Sequence, residues 1–401
     1  MITKAQNWQR PRFADDSTLI DSVATILNDI ADEGDTAIER YAEKFDGQKP
    51  EFIELKSFDE YQLDAELSNA IQLAAKRIRR FAEFQFESLT SRQFEDDYGF
   101  FGQAVKPIEK VGAYIPGGRF PLISTALMTL IPARVVGCSS RVACSPSDHP
   151  AILAAASLAG ATQFVKLGGV QAVGALTNGY QSIEPVDLIV GPGNAWVNEA
   201  KRQVQSKVKI DGLAGPSELM AICDDQQPID WLALDALAQA EHDPNACSLI
   251  VSDSQSWLTE MLSYLEKNKD TRELIKNEQV ALVYANNKAD MIAFSEDYAP
   301  EHLMLCHNAV KADELNNYGS LFIGANSAVA LGDYISGPNH TLPTLGYAKQ
   351  TGGLSVNTFV KIQTIQQVNK QGRETLSEAA KHLAKAEGLE FHFQSLVARC
   401  Q

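Results

Sequence analysis

The chain is short of cysteine in any useful arrangement. Its six cysteines, Cys138, Cys144, Cys223, Cys247, Cys306 and Cys400, form no C-x-x-C pair and no framework spacing. That excludes a disulfide scaffold or a thiolate-held metal and fits reduced thiols in a cytoplasmic compartment. Positive charge is also scarce, with 35 Lys and Arg against 51 Asp and Glu, a formal net charge of −16. No basic patch is concentrated anywhere, so a nucleic-acid partner is not expected. Long apolar runs are missing too: the most apolar stretch, PAILAAASLAGA from Pro150, falls short of a bilayer span, so no membrane partner is expected. The opening MITKAQNWQRPRF lacks an apolar core, so no secretory signal is expected. Finally, the dinucleotide fingerprint G-x-G-x-x-G is absent: GPGNAW at Gly191 has two of its glycines, and LGGVQAVGA at Leu167 has the wrong spacing.

What is present is the composition of an ordinary globular protein, 45% hydrophobic and 21% charged over 401 residues, long enough for two or three domains. From Thr18 to Phe45 and from Phe58 to Gln85 apolar residues recur at helical spacing, so the first hundred residues read as mostly helical. From Val111 the rhythm changes to short apolar runs between Gly/Pro turns and helical segments: VGAYIP, TALMTLIPARVVG, RVACSP, AILAAASLAGA, FVKLGG and DLIVGPG. A second set follows in ELMAICD, CSLIVSD, ALVYA, HLMLC and GSLFIG. Two successive sets of this kind predict two α/β units with parallel sheets. After Pro343 a Gly-rich connection leads to a helix over LSEAAKHLAKAEGL, which reads as an appendage.

Several short stretches carry groups capable of chemistry. In DWLALDALAQAEHDP the residues Trp231, Leu234, Leu237 and Ala238 recur at helical spacing, which places Gln239 and His242 on one helix face, with Pro244 ending the helix. Taken alone, a Gln and a His three residues apart near a helix end are more often a surface or capping pair. Pro116-Gly117-Gly118 and Pro192-Gly193-Asn194 each follow an apolar run, where a strand's C-terminal end opens a ligand crevice, although ordinary tight turns have the same composition. Glu301-His302 in APEHL can equally be a turn that starts a strand.

In order along the chain, GDTAIERYAEKFDG at Gly34, VGAYIPGGRFPLISTALMTLIPA at Val111, VGPGNAWVNEAKRQV at Val190, IDGLAGPSE at Ile210, LAQAEHDP, YAPEHL at Tyr298 and SGPNHTLPT resemble the histidinol dehydrogenases. The resemblance implies two related, incomplete Rossmann-like lobes, a helical N-terminal region and a small helical tail exchanged within a domain-swapped homodimer. The implied division is 1–112 with 217–345 as a zinc and substrate domain, 113–216 as an NAD-binding domain, and 346–401 as the appendage.

The resemblance also implies the chemistry: oxidation of L-histidinol to L-histidine through the aldehyde, with Zn²⁺ and two NAD⁺. Position by position, it puts the zinc ligands on Gln239, His242, Asp333 and His392, and the catalytic pair on Glu301 and His302. Ser217, His340 and Glu387 join these ligands and His302 as substrate contacts, and Tyr114, Gln171 and Asn194 fall on NAD contacts. His392 and Glu387 would come from the partner subunit. Phe391 and Phe393 are bulkier than the usual neighbours of that histidine. Relatives with this architecture oxidise other small hydroxylated compounds, including a sulfonated propanediol, so the alternative is a zinc- and NAD-dependent dehydrogenase of another small alcohol. A non-catalytic protein on the same fold fits less well, because none of the implied ligands is missing.

Overall fold

The computed structural model describes residues 2–10, 17–117, 121–213, 215–241 and 243–400. After β1 (Ile2–Lys4), the periodic stretch to Phe45 forms two helices, α1 (Ser17–Glu33) and α2 (Asp35–Phe45). The break falls at Gly34, whose φ of 60° is open to glycine and costly for other residues. β2 (Glu51–Phe52) leads to α3 (Ala65–Glu87), started by the Asp64 carboxylate, which accepts the Leu67 N–H at 2.8 Å. The helical expectation ends there. β3 (Arg92–Asp96) and β4 (Gly99–Pro107) pair as an antiparallel hairpin.

The first sheet is built by β5 (Lys110–Tyr114), α4 (Ile123–Val136), β6 (Ser140–Ser145), α5 (Pro150–Ala159), β7 (Gln163–Lys166), α6 (Gly169–Asn178), β8 (Leu188–Val190), α7 (Ala195–Val204) and β9 (Lys209–Ile210). Its strand order is β2-β7-β6-β5-β8-β9, with β2 antiparallel at the edge and the rest parallel. Because helices cover both faces, the strands are apolar throughout. Ala143, Phe164, Leu188 and Val190 pack with α4 and α5, whereas Val142, Cys144, Val165 and Ile189 pack with α6 and α7, as the two-residue strand period requires.

The second sheet comprises β10 (Glu218–Cys223), α8 (Ile229–Ala240), β11 (Cys247–Ser252), α9 (Gln255–Leu265), α10 (Lys269–Lys276), β12 (Val280–Tyr284), α11 (Lys288–Tyr298), β13 (His302–Cys306) and β14 (Ser320–Ile323), followed by α12 (Val329–Tyr334). The order is β1-β12-β11-β10-β13-β14, parallel throughout. Leaving aside the added edge strands β2 and β1, both sheets run third-second-first-fourth-fifth, as expected for two related Rossmann-like lobes. Among the described residues no helix is long and apolar enough to cross a membrane.

Two features differ from the sequence expectation. The helices α1 to α3 pack on the first sheet: Val23, Ile30 and Ile38 share a cluster with Val173 and Leu176, and Ile71 and Ile78 share one with Leu127 and Ile131. The grouping of residues 1–112 with 217–345 therefore departs from the packing, in which β1 and Trp8 join the second sheet, and a boundary at 112/113 falls inside β5. Amphipathic stripes say that α1 to α3 must cover something without saying which sheet. The tail differs as well. Before its helices α13 (Lys370–Ala386) and α14 (Glu390–Ala398) it contributes β15 (Val360–Val368), paired antiparallel with β4 along its whole length. That strand is exposed beyond Val360, so no buried face marks it in VKIQTIQQV.

Candidate functional site

The C-terminal edge of the first sheet faces the N-terminal edge of the second across a cleft of about 1150 Å³. From the first sheet come Pro116, after β5, and Pro192-Gly193-Asn194, after β8; these two strands flank the point where the strand order reverses. Gly191 has φ 113°, and a Cβ there would lie 2.1 Å from the Tyr114 carbonyl oxygen, so only glycine allows the two strand ends to approach this closely. Asn194 caps α7, its side-chain oxygen accepting the N–H groups of Trp196 and Val197 at 3.1 Å each. Tyr114, at the end of β5, and Gln171, in α6, are buried and do not line the cleft. The Tyr114 hydroxyl accepts the Gly169 N–H at 3.3 Å, and the Gln171 amide donates to Asp46 at 2.9 Å. Burial pushes the Tyr114 phenol up to about 12.

The second sheet supplies side chains that titrate. Glu301 and His302 stand at the head of β13, both buried, and the main chain of Glu218 at the head of β10 holds them both. The Glu218 N–H donates to Glu301 Oε2 at 2.7 Å, and the Glu218 carbonyl lies 3.1 Å from His302 Nδ1. A carbonyl only accepts, so Nδ1 carries the hydrogen and Nε2 is turned towards Asp333, 3.6 Å from Oδ1. Burial opposes charge on His302, but Glu301 at 3.5 Å and Asp333 outweigh it and raise the imidazole to about 10. His340 is lowered by burial; its Nδ1 donates to the Asp333 carbonyl at 2.7 Å and its Nε2 lies 3.3 Å from the Thr125 hydroxyl. Ser217, immediately before β10, lines the same cleft.

Among the expected metal ligands, Asp333 lies in the cleft at the end of α12. Gln239 is buried in the last turn of α8 and does not line the cleft; its amide nitrogen has no hydrogen-bond partner among the described residues. A cation held by Gln239 would take its amide oxygen, with the N–H2 group left to find an acceptor of its own. α8 ends at Ala240, earlier than Pro244 suggested, and His242 lies outside the described residues. Glu387 and His392 are exposed on the tail and do not line the cleft, and no group of three or more His, Cys, Asp or Glu among the described residues could hold a metal within one chain.

Spacing did not single out Glu218, Arg10 or Asp235. Glu218 is buried and pairs with Arg10 at 2.7 Å; burial raises its carboxyl to about 7 against the pull of Arg10. Asp235, also buried, accepts the Val329 N–H at the start of α12, the short helix that carries Asp333. The one available signal for Glu218 was its place beside Ser217 in GPSE. Five of the six thiols are buried, with Cys138 pushed up to about 11 and Cys247 and Cys306 to about 12 by burial, which does not suit thiolate catalysis.

Residues 9–400 match the family model described as histidinol dehydrogenase. The chain is 41% identical to the histidinol dehydrogenase of Methanosarcina mazei, with 94% of this chain and 91% of that protein covered. It is 37% identical to histidinol dehydrogenase 1 of Trichormus variabilis, covering 95% and 92%. The crystal structure of histidinol dehydrogenase from Elizabethkingia anophelis superposes with a TM-score of 0.87 at 36% identity, covering 98% of this chain and 94% of that one. A salicylaldehyde dehydrogenase from Pseudomonas putida G7, at 11% identity and a TM-score of 0.52, shares the fold alone.

Proposed function

The chain belongs to the histidinol dehydrogenase family, and on that premise we propose that it oxidises L-histidinol through the aldehyde to L-histidine, using Zn²⁺ and two NAD⁺. The observation that carries this reading is the Glu301–His302 pair, held at the head of β13 by the Glu218 main chain and facing the glycine-built crevice of the other sheet. Gln239, His242 and Asp333, with His392 of the partner subunit, would hold the zinc, whose service when bound is to anchor the substrate's imidazole and amino nitrogens. Tyr114, Gln171 and Asn194 would hold NAD⁺, which when bound would supply the hydride acceptor.

In the alcohol half-reaction the hydroxyl proton passes to His302 Nε2 while hydride leaves the adjacent carbon, giving the aldehyde. His302 must be neutral to accept it. Glu301 and Asp333 both raise the imidazole against burial, and a cation shared with Asp333 would weaken Asp333's part of that pull while Glu301's stays. In the second half-reaction water adds to the aldehyde carbon as it gives up one proton, and the resulting hydrate anion loses hydride and its remaining hydroxyl proton to give the carboxylate. Glu301, whose Oε2 is already fixed by the Glu218 N–H, takes the proton from the attacking water.

The exposed positions of Glu387 and His392 favour a site shared by two copies. The tail leaves Leu383 65% and Phe391 83% exposed, and α8 leaves Trp231 50% and Leu234 59% exposed, apolar surface that an isotropic monomer has little reason to show. The deciding assay counts NADH formed per histidinol supplied. Two equivalents support the full sequence, one stops it at the aldehyde, and none overturns the substrate.

A further inference from the structure

Lys201 on α7 and Asp211 after β9 form an ion pair in the interior, their side chains 1% and 2% exposed and 2.5 Å apart. They are not isolated charges. Lys201 Nζ also donates to the Gly191 carbonyl at 2.9 Å, while Asp211 Oδ2 accepts the Gly191 N–H at 2.7 Å and Oδ1 accepts the Gly212 N–H at 2.9 Å. Both polar groups of Gly191 are therefore gripped by opposite members of one pair. Gly191 is the residue that lets β5 and β8 approach at the reversal of strand order, and the turn it begins, Pro192-Gly193-Asn194, lines the cleft.

Burying two charges is expensive, and an apolar pair of similar size is often as stable or more so. Stability alone is thus a poor reason for this pair, whereas a single fixed turn is a good one. We infer that Lys201 and Asp211 are positioning residues that pre-form the Gly191–Asn194 turn for the dinucleotide. This rests on the NAD reading of the crevice and deepens it: neither side chain lines the cleft, so both act through the Gly191 peptide groups.

The test removes both charges together, because a single replacement would strand the other charge in the interior. Lys201→Met with Asp211→Asn keeps near-native volumes and one acceptor oxygen where Asp211 offers two, and loses the grip on the carbonyl. Calorimetric titration of NAD⁺ into the full-length protein, without substrate, should show affinity falling about tenfold, the weight of one charge-assisted hydrogen bond, with a thermal midpoint close to wild type. Steady-state turnover should show KM for NAD⁺ rising by a similar factor with kcat little changed. An unchanged affinity in a folded double variant overturns the inference. A wild type that fails to bind NAD⁺ overturns the cofactor reading and the inference with it. Hydrogen exchange on the wild type serves if the variant does not fold. The Gly191 amide should be as protected without NAD⁺ as with it, and protection that arises only on binding means the turn is not pre-formed.

Discussion

The two sheets share one strand order and use opposite edges of it. In the first, the C-terminal edge is open: β5 and β8 end in Gly/Pro turns, and what they present is main chain and the start of α7. In the second, the corresponding edge is closed by its own groups. Asp224, after β10, takes N–H groups from Gln226 and Asn308 and the Gln227 amide. The cleft instead meets that sheet's N-terminal edge, where Glu218 and His302 begin their strands and Glu301 immediately precedes the second. One topology has thus produced a backbone-built crevice in one lobe and a row of buried ionisable side chains in the other. Strand order locates where a ligand can lie, and the residues at each edge decide what chemistry is done there.

If the division between a binding edge and a reacting edge is right, the largest loss belongs to His302. His302→Ala should lower histidinol oxidation by about a thousandfold while NAD⁺ affinity by calorimetry stays within about twofold of wild type. A matching collapse of NAD⁺ binding would mean that the two edges are not separable. Glu301→Gln should be next, slowing oxidation of supplied histidinal by about a hundredfold and the first hydride transfer from histidinol far less. Equal losses in both steps would remove the assignment of Glu301 to water.

The comparison extends to the tail, which in one chain serves neither edge. His242→Ala and His392→Ala proteins should each lose zinc and activity. Unfolded and refolded together, they should recover about a quarter of wild-type activity, because half the dimers are mixed and each mixed dimer has one intact site. Inactive mixtures beside recovering wild-type controls would place His392 in its own chain's site.

Much of this comparison was legible in the sequence, and the reasons are physical. Strands buried on both faces must be apolar, so RVACSP and CSLIVSD announced themselves as β6 and β11. Glu301-His302 was readable only through family resemblance, since a Glu-His pair at a strand start has no distinctive spacing. Glu218 had only its place beside Ser217 in GPSE to mark it and Asp235 had nothing, because a buried carboxylate has the same letter as a surface one. β15 was hidden for the opposite reason, having no face to bury in its own chain. α8 inverted the usual rule: Trp231 and Leu234 are exposed while Asp235 and Gln239 are buried. The apolar residues of that helix are split, with Leu232, Ala233 and Ala236 in the core and Trp231 and Leu234 on the surface.

The smallest effect tests the ionisable edge through stability rather than turnover. Burial raises the Glu218 carboxyl from 4.5 to about 7, more than Arg10 lowers it. Between those two values the folded chain keeps a proton that the unfolded chain has released, so the stability contributed by this group is complete below about pH 4.5 and is lost as pH rises through about 7. Over that window the loss is at most about 3 kcal/mol, from the free energy carried by each pH unit. Glu218→Gln cannot titrate and should lack this slope. Urea unfolding at a series of pH values from 5 to 8 should show wild type losing stability relative to the variant as pH rises. Because Arg10 loses its partner in Glu218→Gln, the absolute offset between the two proteins is not diagnostic. The slope is. A difference that stays flat, or that grows in favour of wild type with rising pH, would show that Arg10 keeps Glu218 charged throughout. The second sheet's edge would then be held by a permanent ion pair, as Gly191 is gripped by Lys201 and Asp211 on the first.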